Sequence, residues 1–280
     1  MKIYVISDIH LLVPGETSKG LDTAARFDIA LADLAAHHAD ADLCVLLGDL
    51  ADHGAEAAYI ELKVRLSQMK VPARVLIGNH DDRETFKRVV DGVEIDENGF
   101  VQSVLDTDEG RFIFLDTFEK GHVNGMLCEK RHAWLSARLA EAKGQPVSIF
   151  MHHPPFDIGM RVDAIKLANT DAFHAALAEH GDVRQIFAGH THRTCSGVWR
   201  GIPFVNVGAT HYNQSVGLSH KPGPVTRTLF PIMTAVALVK GGDVVVHHHD
   251  VSPTIIPLAP QLFPEGRLDE IIARGGRIHA

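Results

Sequence analysis

The sequence predicts an α/β fold built on a mixed sheet system, and three observations carry that prediction. Short, nearly continuous apolar runs end in glycine or polar turns, as strands buried on both faces do. Helical apolar stripes separate the first of these runs, a βαβαβ order that favours parallel strands. Beyond Cys195 the pattern changes to short strands in succession, which a simple doubly wound sheet would not show.

Lys2–Ser7, Leu43–Leu47 and Ala73–Ile77 are the first runs, rich in Val, Ile and Leu. Between the first two, Phe27, Ala30, Leu31, Leu34 and Ala35 share one face of a helix. Ala58, Leu62, Leu66 and Met69 form the next stripe. Phe100–Leu105 and Arg111–Asp116 read as a hairpin turned through Asp106–Gly110. Glu129–Lys143 reads as a helix, Val147–Met151 as a strand, Asp171–His180 as a helix and Arg184–Ala188 as a strand. The strands Cys195–Arg200, Phe204–Val207, Met233–Val239 and Val244–His248 follow. Residues 1–209 therefore form one α/β core, and 210–232, with Pro, Gly and little periodicity, a lid loop. Residues 233–250 return to complete the core. Residues 251–280 form a C-terminal arm whose Pro-rich, apolar start lies on the surface or on a second subunit, so a homo-oligomer is expected.

Composition narrows the classes of function. A chain of 280 residues with 45% apolar and 22% charged side chains is ordinary for a globular protein and can bury a large core. A net charge of −8 opposes the counterion-release binding that long nucleic acids demand. Bound divalent cations would still make one pocket locally positive, so a small anionic substrate remains compatible. Cys44, Cys128 and Cys195 are odd in number and far apart, which is no disulfide framework and points to a reducing compartment. Met1 leads directly into a strand, without the charged and apolar regions of a signal peptide, and nothing reads as a membrane span. A cytoplasmic protein is expected.

Five short clusters follow predicted strands: Asp8-Ile9-His10, Gly48-Asp49, Gly78-Asn79-His80-Asp81, His152-His153-Pro154-Pro155 and Gly189-His190-Thr191-His192. Each apolar run would deliver its cluster to one edge of a sheet, where α/β proteins place ligands. Two divalent ions about 3.5 Å apart need a bridging anion, which an Asp carboxylate supplies with its two oxygens. Imidazole, carboxylate and amide together suit Mn, Fe, Co, Ni or Zn better than Ca or Mg, and no thiolate belongs to the set.

The order DxH, GD, GNH[D/E], H, GHxH, complete between Asp8 and His192, resembles the calcineurin-like metallophosphoesterase superfamily. The resemblance implies a four-layer αββα sandwich of two mixed β-sheets flanked by helices, with a C-terminal cap or arm. It implies two divalent metal ions, drawn from Mn, Fe, Zn or Co. Asp8, His10 and His192 would hold the first and Asn79, His152 and His190 the second, with Asp49 bridging. A hydroxide shared by the metals would attack phosphorus in line, and His80 would protonate the leaving alkoxide. Asn79 and His80 would also touch substrate, and His211, at the start of the lid, would lie near the leaving group.

Other residues carry two readings. Asp81 orients His80 or a ligand, or serves as a turn or helix cap. His53, four residues past Asp49, reaches substrate or fills a loop role; His153 participates or packs beside a ligand. His37 and His38 suit a solvated helix end. His247-His248-His249 alternate between strand faces, which argues against a metal tract.

Departures from other branches of the superfamily narrow the substrate. The run Gly48-Asp49-Leu50-Ala51-Asp52-His53-Gly54 has no arginine to clamp a monoester dianion, and no tyrosine lies near Asp49 before Tyr59. The protein resembles the class III cyclic nucleotide phosphodiesterase and glycerophosphodiesterase branch. A cyclic nucleotide, 3′,5′ or 2′,3′, is the expected substrate, and a deacylated phospholipid headgroup the alternative. A metal-dependent binding module without turnover is the alternative of a different class.

Overall fold

A computed structural model describes residues 1–218, 226–252 and 273. In the first sheet β1 (Lys2–Ile6) lies between antiparallel β12 (Met233–Lys240) and parallel β2 (Leu43–Leu46). Antiparallel β13 (Asp243–Asp250) and parallel β3 (Ala73–Val75) form its two edges, giving the order β13-β12-β1-β2-β3. The second sheet runs β4 (Ser103–Thr107), β5 (Gly110–Leu115), β6 (Val147–Met151), β7 (Val183–Ala188), β9 (Ile202–Asn206), β8 (Cys195–Trp199). Its middle strands β5, β6, β7 and β9 are parallel, and β4 and β8 are antiparallel edges.

Side-chain alternation assigns the layers. Ile3, Val5, Leu43, Val45 and Leu47 of the first sheet pack on Phe112, Phe114, Phe150, Phe187 and Val205 of the second. Phe150 centres this inter-sheet layer, stacked on Phe187 at 4.5 Å and on Phe114 at 5.1 Å. The alternate residues Tyr4, Ile6, Cys44 and Leu46 face outward into helices α1 (Thr23–His37) and α2 (Glu56–Gln68). Ile113, Ile149, Met151 and Ile186 do the same under α4 (Glu129–Glu141) and α5 (Thr170–His180). Both faces of each sheet are thus covered, which is why the strands read as unbroken apolar runs. The layers are αββα, as the resemblance implied.

The expected elements are present, with ends shifted by a few residues. α3 (Arg83–Val89) was not expected, because a short helix burying only Phe86 and Val89 makes no periodic stripe. Its start is fixed by the Asp82 carboxylate, which accepts from the Thr85 amide at 2.9 Å. The lid segment is not structureless: β10 (Asn213–Gln214) and β11 (Arg227–Thr228) pair within it. The arm expected over 251–280 falls outside the described residues except at 251, 252 and 273. Among the described residues no helix is long and apolar enough to cross a membrane.

Parallel pairing sets the consequence for function. β1, β2 and β3 end at one edge, as do β5, β6, β7 and β9, so the loops that follow them converge.

Candidate metal centre

All five clusters meet at that edge. The loops after β1 and β2 bond directly, with the His10 amide donating to the Asp49 carbonyl at 2.8 Å. The two sheets are joined by the His190 amide, which donates to Asp8 Oδ1 and Oδ2 at 3.1 and 3.0 Å. The His80 amide likewise donates to Asp49 Oδ1 at 2.9 Å.

Such turns are tight enough to force unusual backbone. Asp8, His10, Asp49, His190 and His192 all hold positive φ, between 48° and 68°. Non-glycine residues adopt this left-handed region at a cost, and strain of this kind collects at functional sites. Gly78 meets a different demand: a Cβ there would lie 2.2 Å from Asp49 Oδ1 and 2.5 Å from His152 Nε2. Only glycine lets the backbone before Asn79 approach the carboxylate and imidazole so closely.

One group of atoms comprises Asp8, His10, Asp49 and His192, all buried, with ligand atoms within 4.8 Å of one another. The tautomers follow from their outer hydrogen bonds. His10 Nδ1 donates to Asp52 Oδ1 at 2.9 Å, and His192 Nδ1 donates to the Tyr212 carbonyl at 2.8 Å. Their Nε2 atoms then carry lone pairs, yet they face each other at 3.1 Å. Two lone pairs that close repel unless a cation lies between them and the carboxylates. Asp49 Oδ2 is 3.5 Å from His10 Nε2, and Asp8 Oδ1 is 3.4 Å from His192 Nε2.

The second group is marked by orphaned atoms. His152 Nδ1 donates to the Leu47 carbonyl at 2.9 Å, and His190 Nε2 to the Ile165 carbonyl at 3.0 Å. That leaves His152 Nε2, His190 Nδ1 and Asn79 Oδ1 buried with no hydrogen-bond partner. With both imidazoles neutral, these are three uncompensated acceptors in a dry site, costly unless a ligand satisfies them. Asp49 Oδ1 lies 3.3 Å from His152 Nε2, so Asp49 presents one oxygen to each group. The donor set and its orphaned atoms fit two intermediate divalent cations sharing Asp49.

Electrostatics agree with that fit. Burial pushes His190 down to about 3, helped by neighbouring His152, and pushes His192 down to about 4 against the pull of Asp8. Both are neutral near pH 7, as metal ligands must be. Burial would also lower His152, but the Asp49 carboxylate outweighs it and holds the group at about 9. Asp49 itself is held well below the carboxylate range: the cost of burial is overcome by His152, His10 and His80. A proton on His152 stands where a cation would do the same work.

Around these atoms lie the remaining expected residues. His80 is partly exposed, and its Nδ1 donates to the Asp52 carbonyl at 2.8 Å. Burial lowers it, but Asp52 and Asp49 prevail and raise it to about 9. Asp81 serves as a backbone clamp: its carboxylate accepts from the amides of Leu50, Ala51 and Gly78 and from the Tyr59 hydroxyl. His153 donates or accepts at Thr117 Oγ1, 2.8 Å away, and its ring packs against His152 and His190. His53 has 76% of its side chain exposed and approaches only Asp52, at 3.6 Å. His211 is fully buried, 4.8 Å from the His10 ring, with neither ring nitrogen partnered. Burial, then His10 and His192, push it down to about 2. His38 and His249 lie instead around Asp33, on the outer side of the first sheet.

Sequence reasoning missed Asp52 and Tyr212. Asp52 links His10 to His80, and the three-residue spacing from Asp49 was the available signal. Tyr212 had none, because its role is to offer a backbone carbonyl and a ring face to His192.

The calcineurin-like phosphoesterase family model matches residues 1–194. The chain belongs to this family. Among its relatives is a probable cyclic nucleotide phosphodiesterase of Rhodopseudomonas palustris, 42% identical over 208 residues, 73% of this chain and 76% of the relative. The glycerophosphodiester phosphodiesterase GpdQ of Enterobacter lignolyticus is 28% identical over 173 residues, 60% of this chain and 62% of the relative. A dimetal phosphatase from Danio rerio shares the fold with TM-score 0.66 at 17% identity, over 89% of this chain and 96% of that one. The protein is a metal-dependent phosphoesterase of this family, with a His/Asp centre at the expected sheet edge.

Proposed function

We propose that the protein hydrolyses a small phosphodiester, in first place a cyclic nucleotide, with Asp8, His10, Asp49 and His192 holding one divalent cation and Asp49, Asn79, His152 and His190 a second. The observation that carries the reading is the pair of ligand groups joined through the two oxygens of Asp49, each group closed by outward hydrogen bonds that fix its tautomers. When bound, such a pair neutralises the non-bridging phosphoryl oxygens and makes water a nucleophile near neutral pH.

The chain's own residues supply the rest. His80, anchored through Nδ1 to Asp52, whose carboxylate favours its protonated form, offers its other nitrogen to the leaving oxygen. An alkoxide leaving group needs that proton far more than an aryl oxide does. Asp52 orients His10 and His80 together, so ligand and acid keep a fixed relation. His211 walls the site beside His10 as a neutral imidazole. No arginine occupies 48–54, and Arg83, just past His80, is held by Asp116 at 2.8 and 2.9 Å, so neither position clamps a monoester, which favours a diester.

Relatives named as cyclic nucleotide phosphodiesterases support the substrate class, and those named GpdQ support a glycerophosphodiester as the second reading. Hydrolysis of 3′,5′-cyclic AMP, 2′,3′-cyclic AMP, glycerophosphocholine and a phosphomonoester with added Mn²⁺ tests both. Preference for a cyclic nucleotide is expected. Monoester activity alone would overturn the argument from the missing arginine. His80→Ala should remove alkyl diester hydrolysis while metal content, read by elemental analysis, stays intact; a binding module would show no turnover to lose.

A further inference from the structure

Beside the ligand groups the protein carries a cationic rim to which no carboxylate is paired among the described residues. The Tyr212 ring stacks on His192 with centroids 4.3 Å apart. The cations of Lys19 and Arg227 also lie over this ring, 5.1 and 4.6 Å from its centroid. Different parts of the fold deliver them. Lys19 sits in a left-handed turn, φ 54°, closed by the Ser18–Leu21 bridge, and Ser18 Oγ reaches Asp52 Oδ2 at 3.4 Å. Arg227 pairs with Gln214 in the β10–β11 ribbon. Arg193, next to His192, donates to the carbonyl of the same Gln214 at 3.1 Å.

These cations differ from the carboxylate-paired arginines of the molecule. Arg83 is matched by Asp116, Arg111 by Asp106 and Glu141, and Arg200 by Asp171. Among the described residues, the partners of Lys19, Arg193 and Arg227 are neutral: the Ser18 hydroxyl, the Gln214 carbonyl and the Tyr212 phenol. The segment 210–232 contains Lys221 and Arg227 and no Asp or Glu, in a protein of net charge −8. Unmatched cations held beside a phosphoesterase centre are a place for an anion.

We infer that this rim is an anion subsite that extends the range of diesters beyond a cyclic mononucleotide, to those carrying a second phosphate that Lys19 and Arg227 bind. The inference rests on the phosphodiesterase reading above. A 3′,5′-cyclic mononucleotide has one negative charge, which the metal centre itself meets, and it leaves the rim unused. A nucleotide diester with a terminal phosphomonoester uses both: Arg227 offers a planar fork to two phosphate oxygens and Lys19 a point charge.

The test compares thymidine 5′-(4-nitrophenyl phosphate) with its 3′-phosphorylated form, using the full chain loaded with Mn²⁺. The two differ only in the second phosphate, and the readout is the ratio of their kcat/KM values, from which any loss common to both cancels. The phosphorylated diester should be favoured about tenfold, mostly through KM, as two charged hydrogen bonds allow. In the doubly substituted Lys19→Met, Arg227→Met protein the ratio should fall to near one. A wild-type ratio near one, or a ratio that survives both substitutions, overturns the inference. Should the double variant fail to fold, salt decides: screening erodes a charge-based preference, and a ratio indifferent to salt overturns it too. Failure of the cyclic nucleotide reading is seen separately, as absent hydrolysis of cyclic AMP by protein that still cleaves the chromogenic diesters.

Discussion

The ligand groups and the rim above them are built by opposite means. In the first, every imidazole is tied at its outer nitrogen, to Asp52 or to the carbonyls of Leu47, Ile165 and Tyr212, and is 6% exposed or less. Strained turns and bonds between sheets hold the carboxylates. In the second, two buried side chains tie the ends of the segment together: Arg26 donates to the Thr210 and Leu229 carbonyls, both at 2.6 Å, and Asn213 to the Pro231 carbonyl at 2.8 Å. Between those anchors lie a two-residue ribbon and the exposed side chains of Val216 and Leu218. The difference is that the ligand groups are held within the sandwich, whereas the rim stands on surface segments.

Perturbing the ligand groups should be most damaging. Asp49→Ala removes the carboxylate common to both groups, and turnover of any diester should drop by at least about a thousandfold with loss of bound metal. Unchanged turnover would sink the assignment of a shared carboxylate. Next comes Asp52→Asn, which keeps the shape but weakens the hold on His10 and His80; kcat should fall by about 10–100-fold, a usual size for a partner of a ligand. If KM alone changed, Asp52 would belong to the rim instead.

Effects at the lid should be smaller and of another kind. Arg26→Met leaves the buried Thr210 carbonyl without its donor, while the exposed Leu229 carbonyl can turn to water, and should cost about 1–3 kcal/mol in urea unfolding, with a raised KM. A loss confined to kcat would mean that the lid bears on the chemistry directly. The smallest effect is expected at His53, whose side chain is 76% exposed. His53→Ala should alter kcat/KM by less than about threefold, within the ordinary range of surface changes. A larger loss would restore the substrate role the sequence allowed it.

What the sequence determined by itself was local and periodic. Unbroken apolar strands showed that both faces of the sheets are covered, and the turns after them displayed the ligand types in order, because each cluster is short and contiguous. Helix α3 escaped because a short helix has too few buried positions to form a stripe. Tertiary structure alone decided the rest. Only the packing of the two sheets sets Asp49 between His10 and His152, fixes which nitrogen of each imidazole faces inward, and brings Lys19 to Tyr212. The physical reason is that these relations join residues far apart in the chain through backbone carbonyls and ring faces. Every residue type possesses a backbone carbonyl, so no pattern of side chains announces the ones that matter.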